Sequence, residues 1–246
     1  MPNILKANNS ALLAISLFLL LTPLAAYGKT LEGTIIRHAE SMPSVDPKLR
    51  AGTQFDSSLL PEKASVSKWF RIPHWMAGVW HREFLYDRSG KKKDSRTRTF
   101  GFQTDAVGAV WHWVRVPFRQ VNDLRAYQGY SIVRDESMVE RTEDSFTLRT
   151  NFTSWIVSKR TNIVFQVTQC DQIDVFTKDT DGSMKVKSSL SSYDQLGRKI
   201  GKNYNSHWQE TIVKGYVPID EYKGVNVKES FIQYLKTQGT NALIPH

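Results

Sequence analysis

Residues 179–190 read DTDGSMKVKSSL. Met184, Val186 and Leu190 fall on one phase of a two-residue period, and Lys185 and Lys187 fall on the other. Successive side chains of a strand point to opposite faces, so this is a strand with one apolar and one wet side. Asp181-Gly182 precedes the alternation. Asp-Gly ahead of an alternating run is a strong hairpin signal, because glycine supplies the positive φ that tight turns require.

The same texture spreads in both directions from this hairpin. Strands are expected at 78–86, 96–104, 109–116, 130–134, 145–152, 154–159, 162–169, 171–177 and 207–217. In Ala109–Val116 both faces are bulky, so that strand is expected to be covered on both sides. Tyr86-Asp-Arg-Ser-Gly-Lys91 and Tyr193-Asp-Gln-Leu-Gly-Arg198 share one turn pattern. In each, Asp can accept from its own turn backbone. One helix is expected at Asn226–Lys236, with Val227, Phe231, Tyr234 and Leu235 at helical spacing and Gly239 as its stop. Residues 29–68 hold Pro43, Pro47 and Pro61 and no sustained period. They read as an N-terminal arm with at most a short helix near Pro61–Lys68. The expected class is all-β, an antiparallel barrel or strongly curved sheet of about 8–10 strands with one C-terminal helix.

The chain begins with a polar stretch bearing Lys6, then an unbroken apolar run from Ala11, then Pro23 and Ala26-Tyr27-Gly28. This is the pattern of a secretory signal, cut after Gly28 or, as second choice, after Ala26. The run is shorter than the ~20 residues that span hydrocarbon. The expected organisation is a signal peptide at 1–28, the arm at 29–68 and a β domain at 69–246. The expected location is periplasmic or extracellular. A single cysteine, Cys170, leaves no internal disulfide, so stability must come from the core. Seven Trp, nine Tyr and twelve Phe can supply it. The formal charge of +9 is dispersed, apart from Lys91-Lys92-Lys93. In an exported protein this points to anionic envelope polymers or lipid headgroups, not to nucleic acid.

Ala77-Gly78-Val79-Trp80 opens the first expected strand behind the arm. It resembles the Gly-x-Trp start of lipocalin-like (calycin) barrels, a resemblance confined to this motif and the general architecture. It implies that Trp80 closes one barrel end and that the interior binds a small apolar or amphipathic molecule. Four of the six histidines adjoin tryptophan: His74-Trp75, Trp80-His81, Trp111-His112-Trp113 and His207-Trp208. Trp80, His81, Trp111, His112, Trp113, His207 and Trp208 are therefore the candidate ligand-binding residues. If His81, His112 and His207 converged they could hold a metal or haem iron, although no tight ligand spacing is present. No cofactor is assigned.

Thr34–Ser41, TIIRHAES, resembles the phosphate-transfer signature of the histidine phosphatases. The resemblance implies that His38 takes the phosphoryl group and Arg37 clamps it. The chemistry also needs further cations and an acid for the leaving group. None of the later histidines sits in the family's second-His context, and hairpins stand where the family has parallel strands and helices. Arg37 and His38 are therefore expected to lie in an exposed arm. Cys170 is expected to be a buried, inert thiol. The expected function is binding rather than catalysis. The alternatives are a cell-envelope interaction protein using a basic surface, and the phosphatase.

Overall fold

The computed structural model describes residues 37–61, 66–86 and 92–245. The signal segment, most of the Tyr86–Lys91 turn and His246 lie outside the described residues. The strands are β1 Val66–Ile72, β2 Gly78–Tyr86, β3 Lys92–Phe100, β4 Gln103–Thr104, β5 Val110–Val116, β6 Phe118–Leu124 and β7 Tyr127–Arg141. They continue as β8 Ser145–Ser158, β9 Val164–Lys178, β10 Met184–Tyr193, β11 Lys199–Gly215, β12 Glu221–Tyr222 and β13 Val225–Asn226. The helix α1 spans Val227–Thr237.

Eight strands form one antiparallel sheet in the order β3-β2-β11-β10-β9-β8-β7-β6, curled into a half-barrel. A second sheet, β1-β5-β4, lies across the concave face, and β12-β13 form a small hairpin. The protein is thus mostly β with one helix near its C-terminus, as its alternation predicts.

Three apolar clusters hold the layers together. The first fills the space between the small sheet and the concave face: Phe70, Met76, Trp80, Phe100, Phe146 and Phe176 are among its members. Trp80 is buried and its indole N–H donates to the Met76 carbonyl at 2.8 Å. The second cluster packs Val45, Leu49, Phe55 and Leu60 of the arm onto Trp155, Val157, Val164 and Val167 of the outer face. The third lies between the small sheet and α1, where Trp69, Trp111 and Trp113 meet Val227, Phe231 and Leu235. Those helical residues recur every four positions. Asn226 caps the helix by accepting from the Glu229 N–H.

Several expected elements differ in extent. Residues 145–158 are one strand, not two, and so are 164–178. β10 pairs with β9 through the Asp179–Ser183 turn, with Gly182 at φ 81°. Residues 62–65 of the short helix expected near Pro61–Lys68 lie outside the described residues, and the positions from Val66 on are the strand β1. Among the described residues of the arm the helical content is two 3-10 turns, Pro47–Leu49 and Ser57–Leu59. β1, β6, β12 and β13 carry no expected counterpart.

Candidate functional site

The seven histidine and tryptophan candidates occupy different layers. Trp80 belongs to the concave core. His81 takes the opposite face of β2, and the exposed His207 lies on the outer face of β11, paired with Lys187. Trp111 and Trp113 sit under α1. His112, between them in sequence, points the other way into a cage of Phe70, Phe100 and Phe102 rings at 5.3–5.4 Å. Its Nδ1 accepts from the Gly101 N–H at 3.2 Å. Burial, reinforced by the Arg98 charge, lowers its pKa to about 3, so it is a neutral core imidazole. The three histidines do not converge. Among the described residues, no group of three His, Cys, Asp or Glu side chains is placed to hold a metal ion. Trp208 packs, partly buried, against the edge of the concave core. Its indole donates to Glu210 Oε1 at 2.7 Å, and the Arg82 guanidinium stacks 4.2 Å from its ring centroid.

The small sheet covers only part of the half-barrel's inside. Beyond its edge the strand register fixes which side chains share the concave floor. One row runs Glu136, Thr150, Gln172, Leu190 and Tyr204 across β7, β8, β9, β10 and β11. The next, nearer the covered core, holds Leu148, Asp174, Ser188 and Ser206. The row on the other side holds Phe152, Cys170, Ser192 and Ile200. Glu136, Thr150, Phe152, Gln172 and Leu190 are partly accessible, and Tyr204 and Ile200 are exposed. This open trough is apolar towards its rim and acidic where it meets the core.

The acids differ in their pairing. Glu210 is held by a bidentate Arg98, whose guanidinium also stacks on Phe100 and Phe176. Asp174 is buried and accepts from the Gln172 amide at 2.9 Å. Glu136 is raised to about 7, chiefly by burial and further by Asp174 and Asp135, against the opposing pull of Arg98. A carboxyl raised from 4.5 favours the folded state below that pH and loses the contribution as pH climbs towards 7. Glu136→Gln is therefore expected to be more stable than the parent by about 1–3 kcal/mol at pH 8 and equal to it at pH 4. Chemical denaturation at both pH values reads the difference. A uniform offset would mean that Glu136 titrates normally.

Cys170, on the same floor, is buried, and burial pushes its thiol up to about 11. It has little thiolate at neutral pH. A separate hollow of about 210 Å3, lined by Gly78, Phe100, Gly101, Gly215 and Tyr216, opens where β2, β3 and β11 meet the covered core. It lies below the ~300 Å3 at which small-molecule pockets begin.

His38, expected on an exposed arm, has a side chain only 6% exposed. The arm turns it onto the outer face of the half-barrel. Its Nδ1 lies 3.2 Å from Asp171 Oδ2, and its Nε2 lies 2.9 Å from Ser189 Oγ. Arg149 grips Asp171 through two 2.8 Å hydrogen bonds, and the Ala39 N–H donates to it at 2.9 Å. The order Ser–His–Asp is that of a nucleophilic triad, but its setting is not. Ser189 sits mid-strand, paired with Ile173 on one side and Asn205 on the other. Its backbone N–H is consumed by the ladder, and no turn amide is left to hold an oxyanion. Asp171 is already countered by Arg149. Both ring nitrogens of His38 are engaged, Nδ1 with Asp171 and Nε2 with Ser189. The chain of hydrogen bonds fastens the arm. Next to it Tyr193 Oη donates to the Ala39 carbonyl at 2.5 Å, and Gln169 donates to the Pro43 carbonyl at 2.8 Å.

Comparison with known proteins finds no family model, no curated protein and no solved structure similar to this chain.

Proposed function

We propose that the protein is an exported binding protein that takes an amphipathic small molecule into the uncovered half of its concave face. The observation that carries this reading is the trough itself. Phe152, Leu190, Tyr204 and Ile200 offer apolar contact, and Glu136 with the buried Asp174 waits at the deep end. A head group that donates hydrogen bonds or carries a positive charge complements that end. The Gly78-Val79-Trp80 start and the curled antiparallel sheet support a lipocalin-like relationship, and the N-terminal apolar segment supports export.

Calorimetric titration with dodecylamine, dodecanol and dodecanoate tests the reading. The amine is expected to bind at least tenfold more tightly than the carboxylate. Leu190→Arg, which places a charge on the trough floor, is expected to weaken the amine at least tenfold while the protein still melts cooperatively. If none of the three ligands binds, or if Leu190→Arg binds as the parent does, the trough is not the site.

A further inference from the structure

The hairpins joining β6 to β7, β8 to β9 and β10 to β11 all turn at one end of the half-barrel, because antiparallel register carries each strand back to that end. Leu124 pairs with Tyr127, Tyr127 with Ser158, and Tyr193 with Gln169 near the start of β9. Two of the turns touch directly. Lys159 N–H donates to the Ala126 carbonyl at 3.0 Å, and the Tyr127 and Phe165 rings lie 5.3 Å apart.

This end is apolar beyond what a solvated turn requires. Leu124, Ile163, Phe165, Leu196 and Ile200 are 38%, 39%, 43%, 43% and 44% exposed. Turns normally carry small or polar residues. Cations are interleaved with them. Arg125, Arg160, Lys199 and Lys202 are exposed and form no ion pair among the described residues. Of the nearby acids, Asp123 and Asp194 are taken by Lys159 and Arg198, while Asp46 and Asp56 of the arm, beside the β10–β11 and β8–β9 turns, cap backbone N–H groups and form no ion pair among the described residues. The result is a rim of fixed turns with apolar tips and a net excess of positive charge, Arg125, Arg160, Lys199 and Lys202 against Asp46 and Asp56, on a chain of formal charge +9.

We infer that this end docks on the surface of a bilayer containing anionic lipid. The cations meet the negative headgroups, and the apolar tips enter the boundary between headgroups and acyl chains. A soluble anionic polymer would satisfy the cations and leave the apolar tips in water, so a bilayer uses both features. The inference is independent of the trough, although Ile200 belongs to both.

Co-sedimentation of the purified protein with vesicles tests it. Vesicles of 30 mol% phosphatidylglycerol in phosphatidylcholine are expected to bind at least tenfold more tightly than phosphatidylcholine alone, and raised salt is expected to weaken binding. Leu196→Asp combined with Ile200→Asp is expected to reduce binding at least tenfold. So is Arg160→Glu combined with Lys202→Glu. All four positions are exposed, and thermal melting confirms that these variants fold. Lys228→Glu with Lys236→Glu on α1 changes net charge equally and is expected to leave binding within twofold. Equal binding to both vesicle types overturns the inference, as does an equal loss in the α1 variant. Binding to dextran sulfate without binding to vesicles also overturns it.

Discussion

Asp171→Ala is expected to destabilise the protein by about 3–5 kcal/mol, the range found when one member of a buried charge pair is removed. Asp171 has no exposed side-chain area. It accepts from Arg149 twice, from His38 and from the Ala39 N–H. Alanine would strand all of these donors at the seam between arm and sheet. His38→Ala removes one hydrogen-bonding partner and leaves the Arg149 pair intact, so it should cost about 1–2 kcal/mol. The midpoints of denaturant unfolding rank the two. Equal losses would show that His38, not the charge pair, dominates the seam.

The pH dependence follows from the same contacts. Burial alone would raise the Asp171 carboxyl, but hydrogen bonds from His38, Arg149 and Ala39 override it and hold it well below the usual carboxylate range. A lowered folded-state pKa contributes stability above the unfolded value near 4, lost as pH falls through the folded value. The Asp171 contribution should therefore persist from pH 8 to about pH 4 and decline only in stronger acid. Glu136 acts in the opposite sense and loses its contribution as pH rises towards about 7. Between pH 5 and 6.5 two groups act with opposite signs: Glu136 lowers stability as pH rises towards about 7, whereas His112, held neutral in the core with its pKa lowered to about 3, raises it up to the ordinary imidazole value of 6.5.

The alternation in Met184–Leu190 is legible because one face of β10 is core and its lysines on the other face are exposed. Where both faces are covered the signal disappears. In β1, Trp69 packs under α1 while Phe70 packs into the half-barrel, so two adjacent aromatics erase the period. Adjacency also misdirects the site reading. A histidine next to a tryptophan on a strand must face the opposite way, so the pairs could not share a cavity. The more useful signal is phase. Asp174 is in step with Phe176, and Glu210 with Trp208, so both carboxylates point inwards. Glu136 is hidden from this logic by the irregularity between Val133 and Asp135. The fastening of His38 by residues 133 and 151 positions away has no local signature.

Gly197 tests the arm from its far side, and Gly197→Ala is expected to cost at least 3 kcal/mol. Gly197 sits at φ 82° in the β10–β11 turn, and its carbonyl accepts from the Met42 N–H at 2.9 Å. An added Cβ would lie 1.7 Å from the Met42 carbonyl oxygen, which is backbone and cannot swing aside. Left-handed conformation alone costs an L-residue roughly 1–2 kcal/mol. The remainder comes from lifting the arm, which also breaks the Val45 N–H bond to the Gln195 carbonyl and loosens Leu49 over Trp155. Gly201 supplies the control on the same hairpin. Its φ is 70°, but nothing lies within 4 Å of an added Cβ. Gly201→Ala should therefore cost only the conformational 1–2 kcal/mol. Equal losses at the two glycines would mean that the arm does not bear on the turn. A Gly197 loss larger by at least about 1 kcal/mol, with increased proteolysis within residues 37–61, is the outcome the packing requires.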